Sequence, residues 1–245
     1  MADGFRADND QRGYTHLPSD FAHLLDLQAD HEAPRAAARA VDDWFAGRLD
    51  PTTRPLWEVD GRLYLGPSQP RITVLVASTG TIAVRAMLRR DMLVLISVDP
   101  ADATHLVQAV VSVLPACQPG GGMPISLPAE QLDRAVEHAG SNPYVLRDRL
   151  VARGVNRDDA RRLALVLSTR RRVGTFGMTH MPARGKRLRA KHAVTFFDAQ
   201  DGQHVGRYLF TRKPEANGWR IVLAGTDTAR LVSEISQLRH QLPDG

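Results

Sequence analysis

The chain has a single cysteine, Cys117, in 245 residues. An internal disulfide is therefore excluded, and so is a thiolate metal cluster built within one chain. Without a disulfide framework the cytosol is the default compartment. No apolar run approaches the roughly 18 residues that a membrane helix needs. The opening stretch MADGFRADNDQRGYTH has no apolar signal core. These absences predict a cytoplasmic chain with no membrane insertion. Aromatic residues are sparse, at 6%. HExxH, CxxC, GxSxG and Walker-type motifs are all missing. The nine histidines never fall at His-x-His or His-x3-His spacing, so metal binding has little support. No Ser, Asp or Cys is placed beside His180 in a recognisable catalytic pattern. No catalytic motif is recognisable, although an enzyme can assemble its site from distant residues.

What is present is enough apolar residue, 43%, to bury a substantial core. The formal charge is +5, which invites thoughts of an anionic partner. That surplus is modest for the chain length and does not favour nucleic acid as the main partner. Two basic clusters stand out. Arg170, Arg171 and Arg172 follow a helical pattern, where cations suit the helix C-terminus. Arg184, Lys186, Arg187, Arg189 and Lys191 fill a loop and the start of a strand. Period-two alternation predicts Arg187, Arg189 and Lys191 on one strand face. They read as a solvated, charge-protected edge strand, or as an anion-binding surface.

A repeat organises the rest. Residues 72–90 and 194–212 align without gaps, with Thr73/Thr195, Ala77/Ala199, Gly80/Gly202, Arg85/Arg207 and Arg90/Arg212 identical at a constant offset of 122. Each copy leads into a strand, a polar turn and an amphipathic helix ending in Leu-Pro. Two similar halves predict a pseudo-two-fold arrangement about a shared sheet.

Residues 1–15 read as a disordered lead-in, followed by residues 16–245 as one domain of two halves, 16–115 and 116–245. Helical spacing covers 17–27 and 33–48. Residues 57–65 read as a strand pair or a short hairpin about Asp60-Gly61. Strands follow at 71–77, 82–89 and 92–98, then a helix over 101–114 capped by Asp99 or Asp102. Residues 115–128, with four prolines and the run Gly120-Gly121-Gly122, read as a connector. No strand precedes the run and Met-Pro follows it, so it does not fit a phosphate cradle. Three short helices over 129–172 form a small bundle. Strands at 173–181, 187–197, 203–212 and 218–224 and a helix at 227–242 complete an α+β pattern with a mainly antiparallel sheet.

The C-terminal block resembles the EspG family, the cytosolic chaperones of type VII (ESX) secretion. Its marks are a strand closing in Asp198, a Gly-Arg-Tyr strand (Gly206, Arg207, Tyr208), a Gly-Trp strand (Gly218, Trp219) and a Leu-rich helix. The resemblance runs in order over about residues 17–243. It implies a central antiparallel sheet with a pseudo-two-fold repeat, flanked by two helical bundles. It also implies a non-enzymatic protein with no cofactor, which covers the apolar tip of a PE–PPE heterodimer. Exposed strand edges can pair between copies, so a monomer or weak homodimer is expected. An exposed apolar end aggregates unless covered. From placement alone, Phe176, Met178 and Met181 on a strand and Leu146, Leu150, Leu163 and Leu167 in the bundle are candidate walls of a client groove. Met suits a surface that accepts related partners, and ordinary core packing explains the same residues. A basic binding module for nucleic acid or another anion is the alternative function.

Overall fold

The computed structural model describes residues 32–49, 55–66, 68–90, 92–99, 102–139, 142–182, 186–200, 202–216 and 218–242. The lead-in 1–15, the helix expected at 17–27 and Arg184 lie outside the described residues.

The first half contains α1 (Glu32–Ala46), the strands β1 (Trp57–Tyr64), β2 (Ile72–Ser78), β3 (Ala83–Arg89) and β4 (Met92–Val98), and α2 (Ala103–Val111). The second contains β5 (Ile125–Pro128), α3 (Ala129–Ala139), α4 (Pro143–Ala152), α5 (Arg157–Ser168), β6 (Arg170–His180), β7 (Leu188–Arg189), β8 (Val194–Ala199), β9 (Gly206–Glu215), β10 (Gly218–Gly225) and α6 (Thr228–Ser236). Local chemistry sets the helix starts. Asp102, Asn142, Asn156 and Asp227 each accept a backbone N–H of the first turn, and Pro143 begins α4.

One antiparallel sheet runs β4-β3-β2-β1-β6-β8-β9-β10-β5, with β7 beside β6. Its register carries the repeat. Thr73 faces Arg62 on β1 and Leu88 on β3. Its counterpart Thr195 faces Thr175 on β6 and Phe210 on β9. Arg62 and Thr175 face each other. The pseudo-two-fold axis therefore passes through the Arg62–Thr175 pair, and the offset of 122 is a symmetry of the hydrogen-bond ladder.

Each sheet face buries a different set of helices. On one face α2 and α6 cover Val59, Leu63, Val74, Val76, Phe176, Met178, Phe196 and Leu209. On the other, α1 covers Leu75, Ala77, Val84 and Ala86, while α3–α5 cover Val173, Phe197, Tyr208, Phe210, Ile221 and Leu223. The adjacent pairs Val74/Leu75 and Phe196/Phe197 show the period-two alternation directly.

Three sequence expectations change. Residues 57–64 form one central strand, not a hairpin. Gly61 lies under the Phe176 ring, where an added Cβ would come within 2.8 Å, so this glycine serves close packing rather than a turn. The strand expected at 187–197 is interrupted. Thr179 pairs with Arg189, the Ala190 N–H still donates to the Met178 carbonyl, and Phe176 pairs with Val194, so two extra residues bulge out within 191–193, between β7 and β8. The connector is not a free linker, because its end, β5, pairs with β10 from Leu223–Ile125 to Arg220–Pro128.

Candidate functional site

The family-marking residues Asp198, Arg207 and Tyr208 build a buried joint. Arg207 and Asp198 are fully buried on neighbouring strands. Arg207 donates Nε to Oδ1 at 2.7 Å and Nη2 to Oδ2 at 2.9 Å, a two-pronged pair with fixed geometry. Nη2 also reaches the Pro115 carbonyl at 3.0 Å, and the guanidinium lies 5.0 Å from the Phe196 ring. The backbone completes the joint. Arg207 N–H donates to the Gln118 carbonyl at 2.7 Å, and Gly120 N–H donates to the Arg207 carbonyl at 2.8 Å. Gly120 passes so close to Tyr208 that a Cβ would come within 2.2 Å of its ring. Tyr208 OH donates to the Gly121 carbonyl at 3.2 Å. These contacts strap the connector to the sheet. Cys117 lies beside the pair, and burial followed by the nearby Asp198 carboxylate pushes its thiol up, away from reactivity.

A shallow cleft lies beside the pseudo-two-fold axis on the face that α1 and α3–α5 share. It lies over β1 and β2, and Pro34, Glu58, Asp60, Arg62, Thr73, Arg187 and Arg189 line it. Arg189 grips Asp60 with two hydrogen bonds, Nη1–Oδ1 at 2.7 Å and Nη2–Oδ2 at 3.0 Å, and Nη1 also donates to Thr179 Oγ1 at 3.3 Å. Gly177 leaves room for that guanidinium, which a Cβ would meet at 2.3 Å. Arg187 pairs with the buried carboxylate of Glu58. Burial raises the Asp60 carboxyl, but the Arg189 charge and hydrogen bond, helped by Arg62 and Arg187, hold it below the usual carboxylate range. The cleft floor is thus charged but largely neutralised, and it offers no nucleophile with an adjacent base. Among the described residues no group of three or more His, Cys, Asp and Glu could hold a metal ion. No helix among them is long and apolar enough to cross a membrane.

The expected basic surface separates into different roles. Arg187 and Arg189 are tied down in ion pairs across the sheet, while Lys191 is exposed in the bulge. Arg170, Arg171 and Arg172 begin β6 rather than ending α5. Arg170 still donates to the Leu167 carbonyl of that helix, Arg172 lies 3.6 Å from Asp198, and Arg171 is exposed.

The proposed groove walls do not meet. Phe176 and Met178 lie beneath α2 and α6. Leu146, Leu150, Leu163 and Leu167 lie in the bundle core on the opposite face. Met181 is half-buried beyond the end of β6 and donates its N–H to the Leu56 carbonyl at 2.8 Å. The exposed apolar side chains are elsewhere. Tyr144 and Val151 stand on the outside of α4, and Met123 and Val205 lie beside α5. Met92, Leu93, Leu95 and Ile96 are exposed on β4. Sequence patterning marks apolar residues without saying which ones a folded bundle leaves outside, so reasoning from the residues alone does not find these.

The EspG family's sequence profile matches residues 18–237. The chain belongs to the EspG family. No curated protein matches it. Among solved structures it is similar to EspG5, the type VII secretion system chaperone of Mycobacterium tuberculosis, solved in complex with a PE25–PPE41 dimer. The TM-score is 0.64 at 15% identity, covering 91% of this chain and 93% of that one. The EspG fold is shared although few residues are. In this EspG-family chain the Asp198–Arg207 joint and the strapped connector give the family-marking residues a structural role.

Proposed function

We propose that this protein is a cytoplasmic, non-enzymatic chaperone that binds a PE–PPE heterodimer of a type VII secretion system and keeps it soluble before export. One observation carries the reading: family membership spans residues 18–237, and the whole fold matches a chaperone solved with such a dimer. The described surface supports it. Apolar side chains are exposed on α4 and beside α5, where Tyr144 is 68% and Met123 79% accessible. We assign the client contact to this outer side of the bundle, with the candidate residues Leu146, Leu150, Leu163 and Leu167 holding its shape from within. The basic-module reading loses its strongest residues, because Arg187 and Arg189 already face Glu58 and Asp60.

The test is co-expression with a PE–PPE pair from the same genome, followed by size-exclusion chromatography at low and high salt. A 1:1:1 complex that persists at high salt is expected, because apolar contact is only weakly screened. Tyr144→Glu and Met123→Glu should weaken that complex at least tenfold without lowering the melting temperature. Absence of a complex with every pair tried, or its loss at high salt, would overturn the proposal.

A further inference from the structure

The two ends of the sheet differ although the halves are related by symmetry. At one end β10 is covered by β5. At the other, β4 pairs only with β3 among the described residues. Its sequence, MLVLISV, is an unprotected edge with no charge, proline or bulge. Met92 is 54% and Leu93 41% exposed. Such an edge templates strand addition.

The symmetry identifies what belongs there. Leu88 and Phe210 are equivalent in the repeat, and they face Leu93 and Leu223 across their ladders. Leu223 in turn faces Ile125 of β5. Residues 125–128 read Ile-Ser-Leu-Pro and run directly into α3. Residues 15–18 read Thr-His-Leu-Pro and precede the helically spaced residues Phe21, Leu24, Leu25 and Leu27 in the same way. The tether also fits. Thirty-one residues precede α1, which packs on β2 and β3, beside β4. At roughly 3.3 Å per extended residue, residues 15–18 reach β4 easily from Glu32.

We propose that β4 is the docking edge for residues 15–18 of the same chain, which add to it as β5 adds to β10, with Thr15 facing Leu93. The sheet is then closed at both ends by an equivalent Leu-Pro segment, and the chaperone does not use β4 to pair with a second copy.

The direct test is the full chain carrying Thr15→Cys and Leu93→Cys, oxidised and mapped by mass spectrometry. A disulfide between the two introduced thiols, within a monomer, is expected. A disulfide joining two chains, or two free introduced thiols in a folded protein, overturns the proposal. Hydrogen exchange on the unaltered chain keeps the question decidable if that variant misfolds. The outward amides of β4 should exchange at least a hundredfold slower than unstructured ones, at every protein concentration. Fast exchange, or protection that grows with concentration, contradicts it.

Discussion

Asp198 and Arg207 show how residues that carry a family resemblance can be structural. Together they place two opposite charges where no water reaches, and the pair is favourable only while both partners remain. Removing one leaves a buried, uncompensated charge, a loss of about 3–5 kcal/mol. Asp198→Asn and Arg207→Met should each lower stability by that order in urea unfolding. The double variant should recover part of the loss, because two neutral groups leave no orphan charge. Equal or smaller losses in the singles than in a surface control such as Arg149→Met would contradict this account. At this scale the sequence is partly legible. It shows that Asp198, Arg207 and Tyr208 matter, but not that they meet the connector. Alternation alone makes Arg187 and Arg189 look solvated, since their partners Glu58 and Asp60 stand 129 residues earlier in the chain.

Elements governed by local rules are easiest to read. The starts of α4 and α5 follow from Asn142 and Asn156 within a few residues. Asp227→Ala should cost about 1 kcal/mol by removing a first-turn acceptor, measurable in chemical denaturation, and Asp102→Ala should be destabilising in the same direction. Elements that depend on distant neighbours are harder. The bulge at 191–193 is set by register against β6, which alternation within residues 187–197 does not reveal. The Gly-run connector has the composition of a tether. Its fixed path comes from contacts with β9, and Gly120→Val should be strongly destabilising where Gly121→Ala, in open space, should change little. Comparable melting temperatures for the two variants would show that the connector is not strapped.

The pseudo-two-fold sheet is the property of the whole molecule that the sequence displays best, because the repeat preserves register as well as pattern. The whole molecule also has a pH response. His180 stacks on Trp57 at 4.2 Å between centroids, and burial with the Arg239 charge lowers its pKa. Burial and nearby cations do the same for His192, beside Arg212 and Lys191, and for His204, beside Arg162 and Arg161. The unfolded chain therefore binds more protons than the folded one once pH falls below the ordinary histidine value of about 6.5. Stability should be level above that pH and decline below it. His180→Gln should make the decline shallower. A urea midpoint unchanged between about pH 7.5 and about pH 5.5, on either side of that ordinary value, would contradict that sign.

The proposed client role belongs to this scale too, since a chaperone acts by covering another molecule's surface. Its most direct test is the soluble fraction of a PE–PPE pair from the same genome, expressed with and without this protein and measured after centrifugation of the lysate. The pair is expected to be mainly aggregated alone and mainly soluble with this protein, and Tyr144→Glu is expected to abolish the gain while leaving the protein folded. A soluble fraction that is the same in both conditions, for every such pair in the genome, would contradict the assignment.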